Sequence, residues 1–157
     1  KGVFQTLVHD PVSFVNAPVL AEQRGVDISL KTNPISDDHK NLLMVSITQT
    51  DGVSVSISGT VAGSAHQAKV VELNGFDIDV PVSTHMAFFR YHDRPGVVGQ
   101  VGNLLGNSGI NIAGMQVSRD DEGHALMVLT VDSLLTHELM DQIITDIGAH
   151  TGKAVTL

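Results

Sequence analysis

Residues 91–99 read YHDRPGVVG and carry the clearest structural signal in the sequence. A run of apolar residues ends here, and a helix is predicted to start at once, with first-turn N–H groups that lack partners inside the helix. On both sides of this segment the patterns predict a strand, a helix, two strands, a helix and a last strand. In order, these are Met86–Tyr91, Arg94–Asn107, Asn111–Ser118, Gly123–Asp132, Thr136–Ile147 and a strand running to Leu157. This βαββαβ order is the ferredoxin-like arrangement.

Both predicted helices have a single apolar face. In the first helix that face consists of Val97, Val101, Leu104 and Leu105, with Asp93 as the expected cap, Pro95 just inside the first turn and Gly109 after the last. In the second it consists of Met140, Ile143, Ile144 and Ile147, with Thr136 as N-cap and Gly148 as the stop. We expect both faces to cover one side of the sheet.

The first half of the chain is predicted to be an antiparallel sheet with one helix near its start. The helix is expected from Ala17 to Gln23, with Ser13 or Asn16 as its cap and Gly25 as the stop. Strands are expected at Val26–Thr32, Leu42–Thr50, Val53–Val61, Ala68–Leu73 and Phe76–Val82. Asp51-Gly52 and Asn74-Gly75 join strand pairs, and such dipeptides are typical of hairpin turns. The pattern changes near Pro81, so the sequence predicts an α+β protein with a sheet-rich domain at 1–82 and a ferredoxin-like domain at 83–157.

Composition excludes several classes of function. The net charge is −8 and the Lys and Arg residues are scattered, so nucleic acid is not an expected partner. No long apolar segment or signal core is present, and the absence of cysteine suits a reducing cytoplasm. The eight histidines show no metal-binding spacing, and no catalytic motif or dinucleotide fingerprint is found. We therefore expect no catalytic residue, no metal and no membrane contact.

The segment around residue 93 has the groups that would hold a small zwitterion. Asp93 offers a negative charge to an ammonium group, Gly96 lets a ligand approach the backbone, and the helix start favours a carboxylate. Asn111 offers an amide donor and a carbonyl acceptor in the loop after the helix. Spacing alone favours a plain helix cap for Asp93 and a plain turn residue for Asn111 over a binding role. The glycines inside the helix, Gly99, Gly102 and Gly106, indicate either close approach by a ligand or second subunit, or tight packing on the sheet.

Residues 91–96 and the segment Gly109-Ile110-Asn111-Ile112 resemble an ACT domain, and the resemblance covers Met86 to Leu157. The segments 15–25 and 58–60 resemble the intervening domain of long-form D-3-phosphoglycerate dehydrogenase, as found in actinobacteria. Short-form relatives place His and Asn at the positions of Tyr91 and Asp93, so the pattern matches the long form.

The resemblance implies a regulatory segment of a serine-biosynthetic enzyme. L-Serine would bind between paired ACT domains and inhibit the NAD-dependent oxidation of 3-phosphoglycerate, while NAD and the catalytic residues would lie in domains outside this sequence. The implied serine site comprises Tyr91, Asp93, Gly96, Val97, Asn111 and Ile112. Lys69 matches a phosphate-binding position of the intervening domain, but Pro81 stands where a second basic residue is expected.

The resemblance also implies a homodimer through the ACT domains, and a tetramer in the intact enzyme. Two alternatives remain at this point: a stand-alone amino-acid sensor that docks on a separate enzyme, and a dimerisation module without a ligand. An enzyme active within this chain has little support, because Asp93 and His92 are expected to point to opposite faces of their strand.

Overall fold

The computed structural model describes residues 2–5, 8, 11–33, 39 and 41–157, and it divides into two units at 1–36 and 37–157. The first unit contains two short helices, α1 (Gly2–Gln5) and α2 (Ala17–Glu22), and α2 agrees with the predicted helix. The strand predicted at Val26–Thr32 is wrong, since these residues form no strand. Alternation alone does not make a strand when no strand among the described residues pairs with it, and Leu30 is 89% exposed here.

The second unit begins with a four-stranded antiparallel sheet. Its strands, in the spatial order of the sheet, are β1 (Leu43–Thr48), β2 (Ser54–Ala62), β3 (Gln67–Leu73) and β4 (Phe76–Pro81). Both predicted hairpin turns are confirmed: Gly52 has a φ of 86°, and Asn74 and Gly75 have φ of 52° and 83°. Asn74 and Gly75 thus have the two positive φ angles of a two-residue hairpin turn, whereas in the longer turn at Asp51-Gly52 only the glycine has a positive φ.

The ferredoxin-like order is also confirmed. Its elements are β5 (His85–His92), α3 (Val97–Asn107), β6 (Ile112–Arg119), β7 (His124–Val131), α4 (His137–Ile147) and β8 (Ala149–Thr156). The strands are antiparallel to their neighbours and lie in the order β6-β7-β5-β8, so β6 and β8 are the edges of this sheet. None of the helices in the described ranges has the length and apolar character needed to span a membrane.

The two faces of the second sheet are covered differently. Both helices pack on one face, as predicted, against Phe89 and Tyr91 of β5 and a row of apolar residues of β7. The other face packs on the first sheet, where Met86 of β5 and Val128 of β7 meet Phe76 and its neighbours on β3 and β4. Residues that alternate along β5 therefore lie in different environments, and His92 lies on the face opposite Tyr91.

Strand β8 carries an irregularity that matters for the site. Thr151 lies opposite Arg90 and Ala149 lies opposite Tyr91, so His150 is an extra residue at a β-bulge. Two residues further along, Gly152 is required, because a Cβ there would lie 2.6 Å from Ile144 of α4. The bulge therefore changes the direction of His150 beside a segment held closely under a helix.

Candidate functional site

The turn between β5 and α3 differs from its predicted form. Helix α3 begins at Val97 and not at Arg94, so Pro95 precedes the helix, and Gly96 is the N-cap with a φ of 91°. No side chain caps the helix, and the prediction that Asp93 does so is wrong. The physical reason is a competing partner, because the carboxylate of Asp93 accepts a hydrogen bond from Arg119 instead.

Asp93 and Arg119 form a close ion pair at one end of the second sheet. The Nε of Arg119 lies 2.6 Å from Oδ2 of Asp93, and the two side chains are 63% and 31% exposed. The backbone N–H of Asp93 donates to the carbonyl of Gly123, which fixes the end of β5 against the β6–β7 turn. The pair presents a negative and a positive group to solvent side by side.

Arg119 was missed by sequence analysis, although topology could have indicated it. Strands β5 and β6 both run antiparallel to β7, so their last residues lie at the same end of the sheet. The sequence separates Arg119 from Asp93 by 26 positions, and no local spacing rule connects two residues so far apart.

Tyr91 lies directly beneath this ion pair. Its side chain is almost completely buried, at 1% exposure, in the core between the sheet and the helices. Burial raises the pKa of the Tyr91 hydroxyl, and the negative charge of Asp93 raises it further, while the positive charge of Arg119 opposes these effects. The phenol is therefore neutral at physiological pH.

Asn111 lies at the opposite end of the sheet. Its backbone N–H donates to Oδ1 of Asp132 at 3.0 Å, and the following residue, Ile112, lies opposite Val131, where β7 ends. Since β6 spans eight residues, its two ends are separated by about 23 Å at the usual rise per residue. A single chain therefore does not bring Asn111 to the Asp93–Arg119 pair.

The remaining residues of the predicted serine site are Gly96, Val97 and Ile112. They could contact a ligand through their backbone groups more readily than through side chains. The side chain of Val97 is buried at 1% exposure in the helix-side core, and Ile112 packs against the same core. Gly96 carries no side chain, and its positive φ sets the direction from which the chain enters α3.

Lys69 forms an ion pair within the first sheet. Its Nζ lies 2.8 Å from Oδ1 of Asp79, and Pro81 is its cross-strand neighbour. Asp79 and Pro81 line a polar groove of about 450 Å³ that also includes Gln116 of β6. Because Asp79 already balances the charge of Lys69, the groove does not favour an anion, and phosphate binding stays a prediction.

Three histidines meet on the face opposite Tyr91. His92 and His124 are directly paired on β5 and β7, and their rings stack at 4.8 Å between centroids. The bulge brings His150 of β8 to 4.6 Å from His92 and 5.7 Å from His124. Burial lowers the pKa of His150, and electrostatic interactions with His92, His124 and Arg90 lower it further.

Sequence analysis missed this cluster because it relied on short-range spacing. The three histidines lie on three different strands, and only the strand order together with the bulge in β8 brings them together. A fourth group, Asp120, accepts a hydrogen bond from Nδ1 of His124 at 3.1 Å.

The comparisons with known proteins agree with this architecture. Residues 1–74 match the family model of the D-3-phosphoglycerate dehydrogenase intervening domain, and residues 85–147 match that of the ACT domain. The chain is 35% identical to a D-3-phosphoglycerate dehydrogenase of Mycobacterium leprae and 34% identical to one of Mycobacterium tuberculosis, in both cases over its whole length. A Bacillus subtilis relative of the same name is 32% identical over 91% of the chain.

The chain spans only 30% of the length of the mycobacterial relatives and 27% of the Bacillus relative. The two family matches lie on either side of the sequence change near Pro81 and leave residues 75–84 between them. Residues 1–74 therefore belong to the D-3-phosphoglycerate dehydrogenase intervening-domain family, and residues 85–147 form an ACT domain.

Proposed function

We propose that this chain is the serine-sensing regulatory segment of an NAD-dependent D-3-phosphoglycerate dehydrogenase, and that L-serine inhibits the enzyme by binding between two ACT domains. The observation that carries the proposal is the exposed Asp93–Arg119 pair at the end of the ACT sheet. The oxidation of 3-phosphoglycerate and the binding of NAD are assigned to domains outside this sequence.

The ion pair has the charges that an amino-acid zwitterion needs. Asp93 would accept hydrogen bonds from the ammonium group of serine, and the exposed guanidinium of Arg119 would pair with its carboxylate in a bidentate manner. The two side chains would have to separate slightly, since they now bond each other at 2.6 Å. A bound zwitterion would replace one ion pair by two, so little charge would be left unpaired.

A second copy of the chain would supply Asn111. A two-fold axis at the free edge of β6 would pair the β6 strands of two copies antiparallel, with the first residue of one strand beside the last residue of the other. Asn111 of one copy would then approach Arg119, and with it Asp93, of the other. The separation of about 23 Å along β6 within one chain would thus become a short distance across the seam.

Helix α3 would lie along the same seam. Helix α4 packs on β8 and on α3, so α3 lies on the side of the sheet towards β6. A Cβ added at Gly99, Gly102 or Gly106 would meet no atom within 4 Å, so these glycines are not required for packing of α3 on its own sheet. This observation favours the interpretation that a ligand or second subunit approaches them closely.

Isothermal titration with L-serine tests the proposal, with D-serine as the control for stereochemistry. We expect saturable binding of L-serine that is lost in Asp93→Asn and also in Asn111→Ala, although the two positions lie at opposite ends of one sheet. Co-expression of the two variants should restore binding in about a quarter of the sites. About half of the dimers are mixed, and each mixed dimer has one intact serine site and one site that lacks both Asp93 and Asn111. If the mixture recovers no binding while each variant is folded and dimeric, the site between two copies is wrong.

The alternative of a dimerisation module without a ligand rests on the open glycine face and the free edge of β6. It predicts a concentration-dependent dimer in sedimentation experiments and no heat with millimolar serine. The two functions are therefore separated by the titration and not by the oligomeric state.

A further inference from the structure

We propose that His92, His124 and His150 form a zinc site on the face of the ACT sheet opposite Tyr91. Each histidine offers one ring nitrogen, and these three atoms lie within 4.8 Å of one another. Three histidines that leave a fourth position to water form a common coordination set for zinc, and imidazole is its typical nitrogen ligand.

The backbone holds the three positions in place before any ion binds. His92 and His124 are cross-strand neighbours on two central strands, and His150 sits at a bulge in the strand on the other side of β5. Bulges often redirect a side chain next to a functional site, and here the extra residue turns His150 towards His92. Binding therefore requires adjustment of side chains and not of strands.

The adjustment is small. Zinc–nitrogen bonds are about 2.0–2.1 Å long, so two nitrogens on one tetrahedral ion lie about 3.4 Å apart. The present spacing of up to 4.8 Å would shorten by rotation of the rings of His92 and His150, both of which are exposed. Neither ring has a hydrogen-bond partner among the described residues, so rotation breaks no bond.

Asp120 orients the third ligand. Its Oδ2 lies 3.1 Å from Nδ1 of His124, and a ring that donates from Nδ1 to this carboxylate offers its other nitrogen to a metal. Its Oδ1 accepts from the backbone N–H groups of Glu122 and His124 at 3.0 and 2.7 Å, so the carboxylate is fixed by its own turn. This is the carboxylate–histidine–metal arrangement in which the outer carboxylate supports the inner ligand.

Charged residues of both signs lie near the three histidines and affect how well a cation would bind. Arg90 lies close enough to affect His150 and would repel a divalent ion, whereas Asp120 and Glu122 lie beside His124 and would attract it. Asp120 and Glu122 could also bind an ion with His124 alone. We favour the three histidines, because Asp120 already uses both oxygens and Glu122 is 80% exposed.

Titration of the tag-free chain with Zn²⁺ at pH 7.5 tests this site. We expect one ion per chain, at least tenfold weaker binding in His150→Asn, and binding about 10–100-fold weaker in Asp120→Asn, which removes the outer carboxylate charge. His137→Gln is the matched control, since His137 is an exposed histidine on α4 outside the cluster, and it should bind as the unaltered chain does. Absence of saturable binding, or equal affinity in His150→Asn, would overturn the proposal.

A second measurement uses the unaltered chain, so its result does not depend on whether a variant folds. In ¹⁵N spectra of the histidine rings of the unaltered chain, one equivalent of Zn²⁺ should shift the signals of His92, His124 and His150 only. Co²⁺ in place of Zn²⁺ should give the visible absorption bands of a four-coordinate ion. Shifts confined to other histidines, such as His85, would contradict the assignment even if zinc bound to the chain.

Discussion

The two helices of the ACT domain cover the same face of one sheet, yet they are built differently. Helix α4 is capped at its start by Thr136, whose hydroxyl accepts from the N–H of Leu139. It has Glu138 in its first turn, and Gly148, with a φ of 63°, caps its end. Helix α3 has Gly96 as its N-cap residue, has no side-chain cap and no acidic residue in its first turn, and contains three glycines. Local rules for helix stability are thus satisfied in α4 and neglected in α3.

Helix α3 therefore depends on tertiary packing for its stability. Its buried residues are as well covered as those of α4, since Val101 and Leu105 have no exposed surface and neither does Ile143. Its ends and its outer face, in contrast, lack the groups that would stabilise the helix by itself. The departure from local stability coincides with the segment that we propose contacts serine and a second chain, as expected where function competes with stability.

The largest expected effect tests whether the two helices depend equally on their buried faces. Leu105→Ala in α3 and Ile143→Ala in α4 should each lower the free energy of unfolding by about 2–5 kcal/mol, because both side chains are fully buried. Urea unfolding followed by circular dichroism measures the loss. Leu134→Ala, at a residue that is 61% exposed, is the control and should change stability little. A cost below 1 kcal/mol in Leu105→Ala alone would mean that α3 is not anchored by packing.

An intermediate effect tests the difference at the helix starts. Thr136→Ala should destabilise the chain by about 1 kcal/mol, because it leaves the N–H of Leu139 unpaired, and Thr136→Ser should restore the loss. Gly96→Ala should cost about 1–2 kcal/mol for another reason, namely the positive φ that a side chain disfavours. Thermal or urea unfolding of the three variants measures both effects. If Thr136→Ala is neutral, capping does not distinguish the two helices.

The order of elements in the ACT domain followed directly from the sequence. Apolar residues at helical spacing and alternation between turn signals predicted all six elements, because each depends on near neighbours along the chain. The same reasoning failed for Val26–Thr32, where alternation is present but the structure provides no paired strand. It also assigned Asp93 to a cap, since a helix start was the nearest partner that the sequence offered.

The site was predicted only in part. Tyr91 and Asp93 were identified from the motif, whereas Arg119 and the histidine cluster depend on contacts between strands far apart in sequence. Such contacts are fixed by strand order and by the bulge at His150, and neither can be read from local spacing. The finding that Asn111 and Asp93 lie at opposite ends of the sheet also depends on the strand order.

The smallest expected effect separates the two roles of the glycines in α3. An alanine at Gly102 would meet no atom within 4 Å in this chain, so Gly102→Ala should stabilise an isolated chain by about 0.5–1 kcal/mol. If α3 packs against a second copy, the same methyl group would instead lie in the seam and weaken the dimer. Urea unfolding at low concentration measures the first effect, and sedimentation at high concentration measures the second.

Gly63→Ala is a contrasting control, because Gly63 has a φ of 72° in a turn of the first sheet. This substitution should lower the stability of the chain without affecting its association. A gain in stability at Gly102 together with weaker association would show that the glycine is kept for approach by another chain at the expense of the helix. A gain in stability with unchanged association would remove α3 from the seam and leave the edge of β6 as the contact between copies.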